Sequence, residues 1–168
     1  MKIKSLQDLF VHKLRHTYDC EQKLVTKGLP DMIEASTSSE LRNAFEQHLQ
    51  ETRAHVTRLE RVFSIIGAEA DTEDNDIFDE MADAAHDMVK ATEESSIRDA
   101  GLIVSGNIVE HYEMAVYGSL VSFAQQLGFS EAASLLQQTL NEEKAADAKL
   151  TAIGEQSINP RASERRAA

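Results

Sequence analysis

Glu21, Glu51, Glu110 and Glu143 sit on or beside helical stripes that are otherwise apolar, and their side chains could bind metal. On a wheel turning about 100° per residue, Glu21 falls among Leu14, Tyr18, Val25 and Met32. Glu110 lies on the line joining Ile103, Met114 and Val121, and Glu113 flanks that stripe one turn further on. Glu143 and Asp147 sit amid Leu136, Leu140 and Leu150. The remaining stripe, Leu41, Phe45, Leu59, Val62 and Ile66, carries His48 and His55 inside it and Glu51 on its flank. An unpaired carboxylate in a dry core costs several kcal/mol or stays protonated. No lysine or arginine falls at the same level on these faces. Divalent cations would supply the compensation, because each carboxylate can chelate one ion or bridge two. The candidate metal ligands are therefore Glu21, Glu51, His55, Glu110, Glu113, Glu143 and Asp147, with a network of protonated acids as the alternative. His55 reads either as a ligand or as a hydrogen-bonded core histidine, and His48 as a group orienting a carboxylate. His12, His16 and His86 read as solvated, His111 as a surface or interface residue, and Cys20 as a buried structural thiol off the inner face.

Helices must position these residues. The apolar period of three to four recurs almost throughout, with only two prolines and seven glycines, which predicts an all-α fold. The first long helix starts at Ser5, with Asp8 as a capping partner, and reaches about Ala35; Pro30 kinks it without ending it. The second runs from Glu40 to Ile66 and stops at Gly67. The third runs from Ser95 or Ser96 to about Leu127, and the fourth, capped by Ser130, to about Gly154. Short turns make helices one and two, and three and four, antiparallel hairpins. The long acidic connection between the hairpins, residues 68–96, holds a short fifth helix at 77–89. Two hairpins joined by one long crossover form the ferritin-like up-down four-helix bundle. At about 1.5 Å per residue the four glutamates all fall near mid-bundle. Residues 1–155 form the bundle and 156–168 a mobile tail. Gly101, Gly106 and Gly118 inside the third helix point to close helix approach, within the bundle or at a dimer face.

Composition narrows the function classes. With 29 acidic residues against 17 basic, the formal charge is −12, which disfavours nucleic acid as a partner. No apolar run approaches the roughly 20 residues of a membrane span. The early lysines are not followed by an apolar segment of the kind a secretory signal needs, and one cysteine excludes an internal disulfide framework; a cytoplasmic protein is expected.

Longer stretches carry a family likeness. Leu9-Phe, Thr17-Tyr-Asp-Cys-Glu21, His48-Leu-Gln-Glu-Thr52, Val109-Glu-His-Tyr-Glu-Met-Ala-Val-Tyr-Gly118, Ala124-Gln-Gln-Leu-Gly128 and Leu140-Asn-Glu-Glu-Lys-Ala-Ala-Asp147 resemble the YciF-like branch of the ferritin-like superfamily. The resemblance implies a di-iron-carboxylate type of centre holding two metal ions per chain, iron first and manganese second, in a stress-associated homodimer. The superfamily's usual site takes one Glu from each of two helices and a Glu-x-x-His motif from each of the other two. This sequence departs from that pattern: His55 follows Glu51 and Asp147 follows Glu143 at a spacing of four, where a histidine at three is usual. The resemblance makes Glu51 and Glu143 bridges and Glu21 and Glu110 terminal ligands, with Glu113 and Asp147 completing one ion and His55 the other. Three functions are compatible: an oxidoreductase acting on ferrous iron or peroxide, with dioxygen or peroxide as a small oxidant; metal storage or buffering; or a structural and interaction module with a vestigial or non-redox site.

Overall fold

The computed structural model describes residues 2–164. Helix α1 spans Leu6–Lys23, α2 Leu29–Ala35, α3 Ser39–Ile66, α4 Asp76–Ala91, α5 Ser96–Gln126, α6 Ser130–Ile153 and α7 Asn159–Glu164. There is no strand among the described residues. Helices α1 and α2 are one long element joined through a π turn, Leu24–Gly28, and α6 continues into α7 through a second, Gly154–Ile158. The result is the expected ferritin-like bundle: α1–α2 pairs with α3, α5 with α6, and α4 lies along α5 on the crossover.

Local chemistry sets these boundaries. Ser5 Oγ accepts from the Asp8 N–H, and the Asp8 carboxylate accepts from the Lys4 N–H, a reciprocal cap of the kind the spacing suggested. Gly67 ends α3 at φ 67° and Gly128 lies within the α5–α6 turn at φ 82°, both left-handed positions that favour glycine. Ser130 is the first residue of α6, and Phe129 occupies the cap position without a side-chain bond.

Both prolines of the chain explain the π turns. A proline inside a helix lacks its N–H and crowds the carbonyl four residues back. Just before Pro30, the Leu29 N–H reaches the Leu24 carbonyl five residues back, and just before Pro160 the Asn159 N–H likewise reaches Gly154. Each π turn takes up the misfit and lets the helix continue. The expected tail from residue 156 is corrected accordingly: the helix runs on to Glu164, and Ile158 is fully buried against the core. Residues 165–168, the rest of that expected tail, lie outside the described residues.

The core has two apolar blocks. One is built on Phe10, Leu14, Leu59, Phe63, Leu120 and Leu136. The other is built on Leu24, Leu41, Phe45, Leu102, Leu150 and Ile158. The buried carboxylates and imidazoles form a polar layer between them. Two of the glycines in α5 do serve close approach. A Cβ on Gly106 would stand 2.8 Å from Leu150 Cδ1, and one on Gly101 2.2 Å from Met88 Sδ; Gly118 faces no neighbour within 4 Å.

One buried carboxylate holds the end of the bundle together. Asp99, on the first turn of α5, accepts from the Thr37 N–H at 2.7 Å, the Thr37 hydroxyl at 2.5 Å and the Ser38 N–H at 3.0 Å. It thereby ties the α2–α3 turn to the second hairpin. Removing a buried acceptor strands its donors at roughly 1–3 kcal/mol each, and the total is smaller here because Thr37 is exposed and its two donors can turn to water. Asp99→Ala is expected to lower the unfolding free energy by about 2–4 kcal/mol, read as a lower urea midpoint with an unchanged slope; a loss under about 1 kcal/mol would show that water replaces the carboxylate.

Candidate metal centre

Four helices contribute side chains to the polar layer. Glu21 comes from α1, His48 and His55 from α3 two turns apart, Glu110 and Glu113 from α5 one turn apart, and Glu143 from α6. Spacings of three and seven keep each helix's contributors on one face. All six side chains are essentially buried, Glu21, His55 and Glu143 completely so.

They fall into two groups that share one residue. Glu21, His55 and Glu143 offer donor atoms within 4.8 Å of one another, and so do His48, Glu110, Glu113 and Glu143. His55 Nδ1 lies 3.0 Å from Glu143 Oε1 and 3.5 Å from Glu21 Oε1. On the other side His48 Nε2 lies 3.1 Å from Glu110 Oε1 and 3.8 Å from Glu143 Oε2. Glu143 thus turns one oxygen toward each group, the disposition a bridging carboxylate needs.

A surrounding set of side chains fixes the inner ones. His55 Nε2 lies 2.9 Å from Glu142, whose carboxylate also takes an Arg58 hydrogen bond at 2.8 Å; Arg58 donates to Thr139 as well, at 2.5 Å. This leaves Nδ1 of His55 facing the centre. The Tyr117 hydroxyl donates to Glu21 Oε1, and Cys20 Sγ lies 3.8 Å from Glu113 Oε1. His48 is backed by Glu51, whose Oε2 is 3.7 Å from His48 Nδ1 and whose Oε1 accepts from Gln47 at 2.8 Å.

Of the seven expected ligands, five converge and two do not. Glu21, His55, Glu110, Glu113 and Glu143 come together. Glu51 does not join either group: it is half-exposed on the flank of α3, behind His48. Asp147 does not either, because four residues advance about 40° round the helix; it faces His111 at 3.2 Å on the α5–α6 rim. His48 takes the inner place expected of Glu51. Cys20, expected off the inner face, is buried against Glu113. His111 is exposed as expected, whereas His12 and His16 are half-buried beside Glu73.

The charge balance is unfavourable without cations. Four carboxylates face two imidazoles, and Glu21 Oε2, Glu110 Oε2, Glu113 Oε2 and both oxygens of Glu143 have no hydrogen-bond partner. Burial, with Glu143, Glu21 and Glu110 around it, pushes Glu113 well above the usual carboxylate range. Burial raises Glu143 to about 7 against the opposing pull of His55. Burial alone would lower His55, yet Glu21 and Glu143 raise it to about 10. His48 hydrogen bonding lowers Glu51 to about 2. Orphaned buried oxygens grouped around two convergent points fit a pair of divalent ions. The mixed oxygen and imidazole donors are groups that could hold a metal ion.

The His48 side is reached from outside. A cavity of about 120 Å³ between α3 and α6 is lined by Gln47, His48, Glu51, Glu110, Ala146 and Lys149, among others. A Lys149 to Gln47 hydrogen bond of 2.7 Å joins two of its lining residues.

An all-α bundle of two hairpins with one crossover and a mid-core layer of glutamates and histidines is a ferritin-like protein with a potential metal site. The chain belongs to the family described as domain of unknown function DUF892, which matches residues 5–163. Protein YciF of Escherichia coli K12 is 36% identical over 166 residues, 96% of this chain and 98% of that protein. The crystal structure of the E. coli stress protein YciF superposes with a TM-score of 0.89 at 35% identity, covering 94% of this chain and 99% of that one. YcfI from Rhodopseudomonas palustris gives 0.87 at 35% identity over 89% and 95%.

The raised acids have a consequence for stability. Glu143 and His55 hold protons more tightly folded than unfolded. The metal-free protein is therefore expected to lose stability as pH rises, first between about 4.5 and 7 through Glu143 and then between about 6.5 and 10 through His55. Melting temperature measured from pH 5 to 9 after chelation should fall continuously, and bound divalent ions should flatten the curve; a metal-free melting point rising over that range would contradict the assignment.

Proposed function

We propose that this chain is a stress-associated metalloprotein that binds two ions, iron or manganese, with Glu143 as the shared bridge. Glu21 and His55 would hold one ion; His48, Glu110 and Glu113 would hold the other. The observation that carries this reading is the placement of Glu143, fully buried with one oxygen 3.0 Å from His55 Nδ1 and the other 3.8 Å from His48 Nε2, neither in a well-formed hydrogen bond. Ions there would supply one-electron redox chemistry toward dioxygen or peroxide. The chain's own part is to hold His55 in one orientation through Glu142 and Arg58, to hold Glu21 with a hydrogen bond from the Tyr117 hydroxyl, and to keep bulk water away with apolar blocks on either side. The stress association rests on the E. coli relative, which is described as a stress protein. The acidic surface and the lack, among the described residues, of any helix able to cross a membrane support work in the cytoplasm without nucleic acid.

A second reading, a structural or interaction module, has its own support. His48 and His55 already lie against Glu110 and Glu143, so the bundle closes with part of its charge compensated. Ile77, Val104 and Ile108 are also exposed along an apolar groove between α4 and α5, which favours a homodimer.

Metal analysis separates the readings. Protein reconstituted with ferrous iron or manganese under anaerobic conditions should hold two ions per chain. Glu143→Ala should hold none tightly. Glu51→Ala should keep two ions with affinity reduced about 10–100-fold, as for a residue that orients a ligand. Full metal content in Glu143→Ala would sink the dinuclear centre, and a metal-free wild type after reconstitution would favour the structural module. Addition of dioxygen or peroxide to the iron-loaded protein should oxidise the iron, and unchanged ferrous iron would leave binding without turnover.

A further inference from the structure

A second cluster of ligating side chains lies away from the core, where the crossover leaves α3. His12 and His16 stand one turn apart on α1, a spacing that puts both rings on one face. Their ring centroids are 4.4 Å apart at 71°. Glu73, in the irregular segment between α3 and α4, presents its carboxylate to both. Its Oε2 contacts His12 Nδ1 and lies 3.6 Å from His16 Nε2. One donor atom from each of the three falls within 4.8 Å of the others.

We propose that His12, His16 and Glu73 form a divalent-cation site of the zinc class that clips the α3–α4 crossover onto α1. Two imidazoles and a carboxylate are a donor set zinc accepts, with water in the remaining position. Donors around a tetrahedral ion with bonds of roughly 2.0–2.2 Å stand about 3.4 Å apart, close to the present His16–Glu73 separation. All three side chains are about one-quarter exposed, at 26, 22 and 26%, so an exchangeable ion can enter and keep a water. Arg15 also approaches the carboxylate, but on the other oxygen, Oε1, at 3.7 Å, which leaves Oε2 to the imidazoles.

The surrounding backbone holds the site in place. Two residues after Glu73, the Asn75 N–H donates to Asp19 and its side-chain amide to the His16 carbonyl and the Tyr112 hydroxyl. The end of the segment is therefore fixed to α1 in the absence of an ion, and Glu73 is delivered to the histidines. Residues 67–72 have no comparable side-chain tie across to α1 among the described hydrogen bonds. An ion at Glu73 would shorten the free stretch of crossover.

The test is zinc titration by calorimetry on the full chain, with and without His12→Ala/His16→Ala, each in the wild-type and the Glu143→Ala background. The histidine pair should remove one zinc per chain in both backgrounds. Failure of the core centre would show only as a changed count common to both members of each pair, so the two proposals fail separately. Glu73→Gln, which keeps the shape of the loop, should weaken that one zinc at least about tenfold, and decides the question should the double variant not fold. Zinc should also slow glutamyl-endopeptidase cleavage at Glu69 in the wild type and not in Glu73→Gln. Unchanged zinc stoichiometry in the histidine variant, or unchanged affinity in Glu73→Gln, overturns the site.

Discussion

The structure depends on a charge deficit at its centre. Glu21, Glu110, Glu113 and Glu143 are all buried within one layer, and among the described residues only His48 and His55 reach them with compensating charge. Charges removed from water interact strongly, and an uncompensated one is disfavoured by several kcal/mol even after relaxation. A bundle seeking stability alone would fill that layer with leucine. Two substantial apolar blocks, one at each end, make the layer tolerable, because they supply hydrophobic stabilisation that the middle does not. The polar layer is thus a local defect carried by the rest of the fold, and such defects mark places where sequence consistency yields to chemistry.

Within that layer the residues are not equivalent. Glu143 is the only carboxylate belonging to both donor groups. His55 is locked from behind by Glu142, Arg58 and Thr139, all of them on or between α3 and α6. Tyr117 fixes Glu21 from α5. Each inner side chain on that side is therefore held by a partner from a different helix, the arrangement that gives a ligand set its geometry before an ion arrives. Asp99 performs the matching task at the end of the bundle, where it sets how the two hairpins meet.

Much of this could be read from residue order, and the misses share a cause. Helix boundaries, the crossover helix and the common level of the glutamates follow from caps, turns and rise per residue, which are local quantities. Which neighbour on a stripe points inward depends on helix phase, which is not local. A wheel at a uniform 100° per residue carries Glu21 on to Val25 and Met32, whereas the buried residues beyond it are Leu24 and Leu29. The π turn at Leu24–Gly28 shifts the phase by a fraction of a turn, and Pro30 is its visible signal. The same signal at Pro160 marks the continuation that buries Ile158. On α3 the stripe 48, 52, 55, 59 advances by four, three and four, and Glu51 lies about 100° from Thr52, so His48 takes the inner position. Glu142 and Arg58 carry no sequence signal, because a charged pair on helix flanks looks like any solvated face until the partner helix is placed.

The two halves of the centre differ in access, and this bears on how it could work. The Glu21–His55 side is closed by the Arg58–Glu142 pair and by Tyr117. The His48–Glu110 side adjoins the cavity between α3 and α6, where Glu51, Gln47 and Lys149 supply polar atoms. Under the proposed reading, ions and small oxidants would approach through the His48 side, and the His55 side would act as the fixed anchor. Glu51 then has a function its position suggests better than bridging does. It is half-exposed, its pKa is lowered to about 2, and it contacts His48 from the cavity. A carboxylate that stays ionised at the entrance attracts cations inward, and its hold on His48 Nδ1 leaves Nε2 directed at the centre. The departure from the superfamily's Glu-x-x-His spacing on α3 is consistent with that exchange of places: the histidine at 48 precedes the glutamate at 51 by three residues, so the same pair of side chains spans the same helix turn in the opposite order.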